Sequence, residues 1–236
     1  MKKISWTDQC ALETIKQLRN EFNIETFIET GTFKGINSFV QSNNFKYVLT
    51  CDINGKYISL AIDKLKDKKN VMIFKESSPK FLKEFIKDYK TNRLTEYVII
   101  YLDAHFYDPK AKNKFVVLDE LDMLRGFEKC IVIIHDFDNG MGHITYDNQP
   151  LNFQLIKERL RKVNPEFRYY TNSNEFSDIH TPETLKRIGL DKDTEAIDNI
   201  KYAWSNERLT KRGILYCVPK ELDLNKYKLI EYVVET

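Results

Sequence analysis

The sequence predicts an α/β fold built on a mostly parallel sheet with helices on both faces. Three observations predict it. Short β-branched apolar runs alternate with amphipathic stretches of helical period along most of the 236 residues. Two of those runs, 97–102 and Cys130–Ile134, are almost wholly apolar, as a strand buried on both faces must be. The runs also close in polar residues: Glu29, Asp52, Glu76-Ser77-Ser78, Asp103, and His135-Asp136. Ligands of parallel α/β sheets bind at that edge, beyond the carboxyl ends of the strands.

Taken in order, residues 8–22 place Ala11, Leu12, Ile15, Leu18 and Phe22 at helical spacing, with Asp8 as N-cap. A strand over 25–28 ends in Glu29 and breaks into a turn carrying Gly31 and Gly35. A helix over 34–41 follows, with Ile36, Phe39 and Val40 apolar. A second strand, 47–51, closes in Asp52 and leads to a helix over 56–65. The third strand, 71–74, precedes Pro79, which suits the first turn of a helix capped by Ser78 and running through Phe81, Leu82, Phe85 and Ile86. After the strand at 97–102, a helix over 115–127 turns Val116, Val117, Leu121 and Leu124 inward. A helix over 151–163 and two last strands, 167–170 and 214–218, complete the pattern. Residues 171–210 are polar with no clear period, and the tail from 222 is polar with apolar patches at Leu229-Ile230 and Tyr232-Val233-Val234. The chain reads as a single domain, 1–236, with a variable substrate-side segment at about 139–210.

Composition narrows the function. A hydrophobic content of 42% supports a real core, and 37 basic residues face 35 acidic ones. A net charge of +2 makes no electrostatic case for nucleic acid or an anionic membrane. No apolar run approaches ~18 residues, and the N-terminus lacks the apolar core of a secretory signal. The four cysteines, Cys10, Cys51, Cys130 and Cys217, form no C-x-x-C. These features predict a cytoplasmic protein with no membrane or nucleic-acid partner.

A glycine where a strand meets a helix lets backbone approach a ligand, and a helix N-terminus presents N–H groups. Glu29-x-Gly31-x-x-x-Gly35 is neither a dinucleotide G-x-G-x-x-G nor a Walker A loop. With Asp52 at the end of the second strand and Ser77 after the third, residues 24–140 resemble the class I S-adenosylmethionine (SAM)-dependent methyltransferases. The resemblance implies a Rossmann-like, seven-stranded, mostly parallel sheet with a C-terminal antiparallel strand. It implies a SAM site formed by Glu29, Gly31, Thr32, Gly35, Asp52 and Ser77. In that site Asp52 accepts hydrogen bonds from the ribose hydroxyls, Ser77 lies near the adenine, and backbone N–H groups near Gly31 receive the carboxylate of the cofactor. Only two of the family's usual glycines are present.

Leu102-Asp103-Ala104-His105 and Ile133-Ile134-His135-Asp136-Phe137 resemble the sugar and small-molecule O-methyltransferases of the macrolide- and antibiotic-sugar type. That resemblance implies Mg²⁺, or another divalent cation, held by Asp103, His135 and Asp136, with Asp103 and His105 catalytic and His105 the general base. His135 stands where the family has another aspartate, and histidine is a poorer ligand for a hard cation. The implied reaction is methyl transfer to a hydroxyl of a sugar, glycan precursor or other small polyhydroxylated molecule. Many family members are oligomers, so the resemblance also allows a homo-oligomer. A rival reading is a non-catalytic SAM- or nucleotide-binding protein, an accessory of a glycan pathway, which would need only the cofactor residues. A third, amino methylation of protein or nucleic acid, lacks its motif: Asp103-Ala104-His105-Phe106 stands where Asn/Asp-Pro-Pro-Tyr would be.

Overall fold

The computed structural model describes residues 9–92, 96–104, 110, 112–140, 150–172, 192, 213–224, 227 and 229–232. In chain order the elements are α1 (Gln9–Glu21), β1 (Thr26–Thr30), α2 (Ile36–Gln41), β2 (Tyr47–Asp52), α3 (Gly55–Leu65), β3 (Val71–Lys75) and α4 (Ser78–Thr91). They continue with β4 (Val98–Leu102), α5 (Val116–Met123), β5 (Cys130–Ile134), α6 (Phe153–Val163), β6 (Arg168–Asn172), β7 (Leu215–Val218) and β8 (Leu229–Glu231).

The strands form one sheet in the order β3-β2-β1-β4-β5-β7-β6-β8. The pairings from β3 through β5 are parallel, and β7 runs antiparallel to β5 and to β6. The chain builds outward from β1 to β3, then crosses back to lay β4 against the other side of β1. The carboxyl ends of β1 and β4 therefore flank the switch point of the sheet.

The Rossmann-like α/β fold expected from the sequence is present, with differences at its margins. An eighth strand joins the seven expected, β8 pairing antiparallel with β6. It is three residues long, with Leu229 buried and Ile230 and Glu231 exposed, too short for its alternation to be read. The first strand runs on through Glu29 and Thr30, because Glu29 pairs with Thr50 on one side and Tyr101 on the other. The helix expected over 115–127 stops at Met123: Gly126 is left-handed (φ 68°), and its N–H donates to the Lys162 carbonyl, outside the helix. Helix α4 starts one residue early, with Ser77 at its N-cap.

The core lies on both faces of the sheet. Ile28, Val98, Ile100, Val132 and Ile134 pack against Leu82 and Ile86 of α4, Leu121 of α5 and Leu160 of α6. The alternate residues Phe27, Ile99, Tyr101, Ile131 and Ile133 pack with Ile15 and Leu18 of α1. This is why β4 and β5 read as unbroken apolar runs: each residue of both strands is buried. Among the described residues no helix is long and apolar enough to cross a membrane.

Candidate active site

Beyond β1 the chain turns through three left-handed residues, Gly31 (φ 81°), Phe33 (φ 47°) and Gly35 (φ 76°). Gly31 is required twice over. Its φ suits glycine, and a Cβ there would lie 2.5 Å from the Asp103 carbonyl oxygen and 2.8 Å from Ala104 Cα. The turn thus presses directly on the end of β4. The N–H groups of Gly31 and Thr32 both donate to the Cys51 carbonyl, at 2.9 Å each. Both are engaged by β2, so neither is among the N–H groups near Gly31 left for a ligand carboxylate. Gly35 serves packing: a Cβ there would meet Leu65 Cδ1 at 3.0 Å and Ala61 Cβ at 3.2 Å, both on α3.

Asp52 ties the neighbouring loops together. Its Oδ2 accepts from the Phe33 N–H (2.9 Å) and its Oδ1 from the Asn54 N–H (2.8 Å). A carboxylate has about four acceptor positions, so about two remain for a ligand. Asp52 lines a cavity of about 190 Å³ together with Gly31, Ile53, Ser77, Ala104 and Val116. The wall is largely apolar. Ile53 is 73% exposed, although it sits between Asp52 and Asn54 in an otherwise polar turn. Ser77 enters from the start of α4, where its N–H donates to Glu76 Oε1 at 2.9 Å. Glu76 pairs in turn with Lys80, which holds its carboxyl below the usual range. Cys51 also lines the cavity, but burial pushes its thiol well up, so it offers no thiolate nucleophile.

Behind this cavity Glu29 and Thr32 belong to a buried network. Glu29 Oε1 accepts from Asn37 Nδ2 at 2.7 Å, and Oε2 accepts from the hydroxyls of Ser38 and of Thr50, the latter at 2.9 Å. Thr50 lies 2.6 Å, oxygen to oxygen, from the Thr32 hydroxyl. Glu29 therefore fastens α2 to the sheet. Burial pushes its pKa up to about 7; the bonds from Ser38, Asn37 and Thr50 lower it, and the Asp103 charge adds to the rise. The folded protein keeps this proton where the unfolded chain releases it. The stabilisation is full below pH 4.5 and is lost as pH rises through about 7. Glu29→Gln, accommodated by a flip of the Asn37 amide, removes that dependence. Between pH 5 and 8 the wild type should lose about 2–3 kcal/mol relative to the variant, read from denaturant unfolding. Parallel pH profiles would show that Glu29 does not carry the effect.

At the ends of β4 and β5, Asp103, His135 and Asp136 come together. His135 is 2% exposed, with Nδ1 3.0 Å from Asp103 Oδ1 and 3.5 Å from Asp136 Oδ1. The Asp103 N–H donates to Thr30 Oγ1 (3.1 Å) and the His135 N–H to the Leu102 carbonyl (3.2 Å), fixing both residues to the sheet. Among the described residues, no group of three His, Cys, Asp or Glu is placed to hold a metal ion. Of the expected cation set, Asp103 and His135 are hydrogen-bonded to each other, with Asp136 at ion-pair distance from the same imidazole nitrogen. An imidazole nitrogen is a poorer ligand than a carboxylate oxygen for a hard cation. His105, the expected base, lies outside the described residues, as does most of the substrate-side segment.

Of the six residues assigned to a cofactor, the fold thus gathers Gly31, Asp52 and Ser77 on one cavity, and sets Glu29, Thr32 and Gly35 behind it. Ile53, Ala104 and Val116 were missed; for Ile53 the signal was an apolar residue following a strand-end acid. Glu120 of α5, an acid near the site in sequence, is buried at 1% exposure.

No protein-family model matches the sequence, and no curated protein matches it. Several solved methyltransferases are similar in fold. The plantazolicin methyltransferase BamL, in complex with a triazolic desmethylPZN analogue and S-adenosylhomocysteine (SAH), gives a TM-score of 0.49 at 14% identity, over 90% of this chain and 85% of that one. The methyltransferase domain of bacterial CtHen1-CN gives 0.48 at 13%, over 89% and 98%. An rRNA methylase from Streptococcus thermophilus gives 0.46 at 8%, over 92% and 99%. At these values none bears on what this chain binds or acts on. The strand pairings of this chain carry the fold assignment.

Proposed function

We propose that the chain is a SAM-dependent methyltransferase that transfers a methyl group to a hydroxyl of a sugar or other small polyhydroxylated molecule. The observation that carries this reading is the convergence of Gly31, Asp52 and Ser77, from the ends of three adjacent strands, on one cavity beside the switch point. The residues fit the cofactor. Asp52 keeps acceptor positions for two vicinal ribose hydroxyls, Ser77 adds a hydroxyl, and Ile53, Pro79 and Val116 give apolar walls suited to a planar base.

When bound, SAM supplies a methyl group already activated on a sulfonium. The chain's remaining tasks are to orient the acceptor hydroxyl, exclude water and take up a proton. Asp103, one residue before the cavity-lining Ala104, is the proposed contact for the acceptor. His105, two residues after Asp103, is the proposed base; a histidine's ordinary pKa of about 6.5 suits proton uptake at neutral pH. No step runs through a divalent cation. The Asp103–His135–Asp136 cluster, with His135 and Asp136 buried and Asp103 partly exposed, favours an enzyme over a binding module, which needs only the cofactor residues. The near-neutral net charge favours a small acceptor over nucleic acid. The sugar-type acceptor rests on the Leu102–His105 and 133–137 motifs.

The test is transfer from methyl-labelled SAM to a panel of monosaccharides, nucleotide sugars and vicinal diols. Label on a hydroxyl oxygen is expected. Label found only on RNA or a peptide amine would overturn the acceptor class, and SAM binding without any transfer would return the binding-module reading. Ile53→Ser gives a second check. The side chain is exposed, so stability should stay within about 0.5 kcal/mol of wild type. The dissociation constant for SAH should rise roughly 5- to 10-fold from lost apolar contact. Unchanged affinity would remove Ile53 from the site.

A further inference from the structure

Two carboxylates face one buried imidazole where β4 and β5 end. His135 Nδ1 lies 3.0 Å from Asp103 Oδ1 and 3.5 Å from Asp136 Oδ1, and the Tyr101 ring packs beside the imidazole at 5.8 Å between centroids. An ionised Asp103 carboxylate only accepts hydrogen bonds, and in the tautomer with hydrogen on Nδ1 the ring donates to it. Asp136 takes a left-handed backbone (φ 50°) here, a conformation uncommon outside glycine. Carboxylates this close repel unless something donating or positive lies between them. In a Mg²⁺ site that role falls to the ion, with oxygen ligands at about 2.0–2.1 Å. Here His135 Nδ1 lies within ion-pair distance of both carboxylates.

We propose that His135 takes the place of a divalent cation. Its ring hydrogen-bonds Asp103, lies against Asp136, fixes the Asp103 carboxylate one residue from the cavity-lining Ala104, and makes the protein independent of metal. His135 is a positioning residue, and a third carboxylate at its position would turn the cluster into a cation site. The inference goes beyond the methyl-transfer reading and stands or falls apart from it.

The test titrates the full-length protein with Mn²⁺ by calorimetry, with SAH titrated in parallel. Wild type should take up no Mn²⁺ at millimolar concentration. His135→Asp should bind one Mn²⁺ per chain at least 100-fold more tightly than wild type, with a matching Mn²⁺ spin-resonance change and a Mn²⁺-dependent rise in melting temperature. Should His135→Asp fail to fold, His135→Asn, whose amide oxygen is also a cation ligand, is judged on the same Mn²⁺ readouts. One Mn²⁺ bound by wild type and lost in Asp103→Ala would overturn the inference. So would a folded His135 variant that takes up no Mn²⁺. A wild type that fails to bind SAH counts against the methyl-transfer reading alone, because the Mn²⁺ results are read independently of it.

Discussion

Asp52→Ala should weaken SAH binding on the order of 100-fold. Two charge-assisted hydrogen bonds to ribose hydroxyls, worth about 1.5 kcal/mol each at the low end, account for that factor. Part of the loss comes from architecture, since Asp52 also accepts from the N–H groups of Phe33 and Asn54 and so holds the turn after β1 against the turn after β2. Thermal unfolding of the ligand-free variant separates the two contributions: a modest fall in melting temperature beside a large loss of affinity is the expected result. Asp52→Asn, which keeps one acceptor oxygen, should fall between wild type and alanine. An alanine variant that binds SAH within roughly threefold of wild type would mean that the carboxylate serves only the loops.

The second large effect is expected at Gly31. Alanine there must adopt a positive φ and place its Cβ 2.5 Å from the Asp103 carbonyl oxygen, a backbone atom that cannot swing aside. Strain and overpacking together should cost about 2–5 kcal/mol. Because relief requires the end of β4 to move away from the turn, SAH binding should be lost with stability. Gly126 provides an internal control. It too has a positive φ, of 68°, but a Cβ there would meet nothing within 4 Å. Gly126→Ala should cost only about 1 kcal/mol and leave SAH affinity intact. If Gly31→Ala were no worse than Gly126→Ala in chemical denaturation, the close approach of the turn to β4 would not be a constraint on the fold.

What could be read in the sequence follows from what is local in the chain. The apolar runs of β4 and β5 are visible because burial on both faces leaves no room for polar alternation. The strand-end acids are visible because each closes such a run. The three-residue β8 has no signal of its own and exists only through pairing with β6. Glu29 looked like a ligand-facing acid because nothing nearby in sequence reveals that Thr50, 21 residues on, donates to it. The N–H groups of Gly31 and Thr32 looked available for the same reason: their acceptor, Cys51, lies on another strand. The substitution-sensitive character of Gly31 comes from β4, far along the chain. His135 was legible as a poor cation ligand from its chemistry alone. Its place between two carboxylates required the parallel pairing of β4 with β5.

The central claim is that the cavity between Gly31, Asp52 and Ser77 holds SAM, and calorimetry of the purified protein with SAM and SAH tests it most directly. A single site per chain with micromolar affinity for both, abolished or strongly weakened by Asp52→Ala and retained in His135→Asn, is the predicted result. No detectable binding of either compound at millimolar concentration would contradict it.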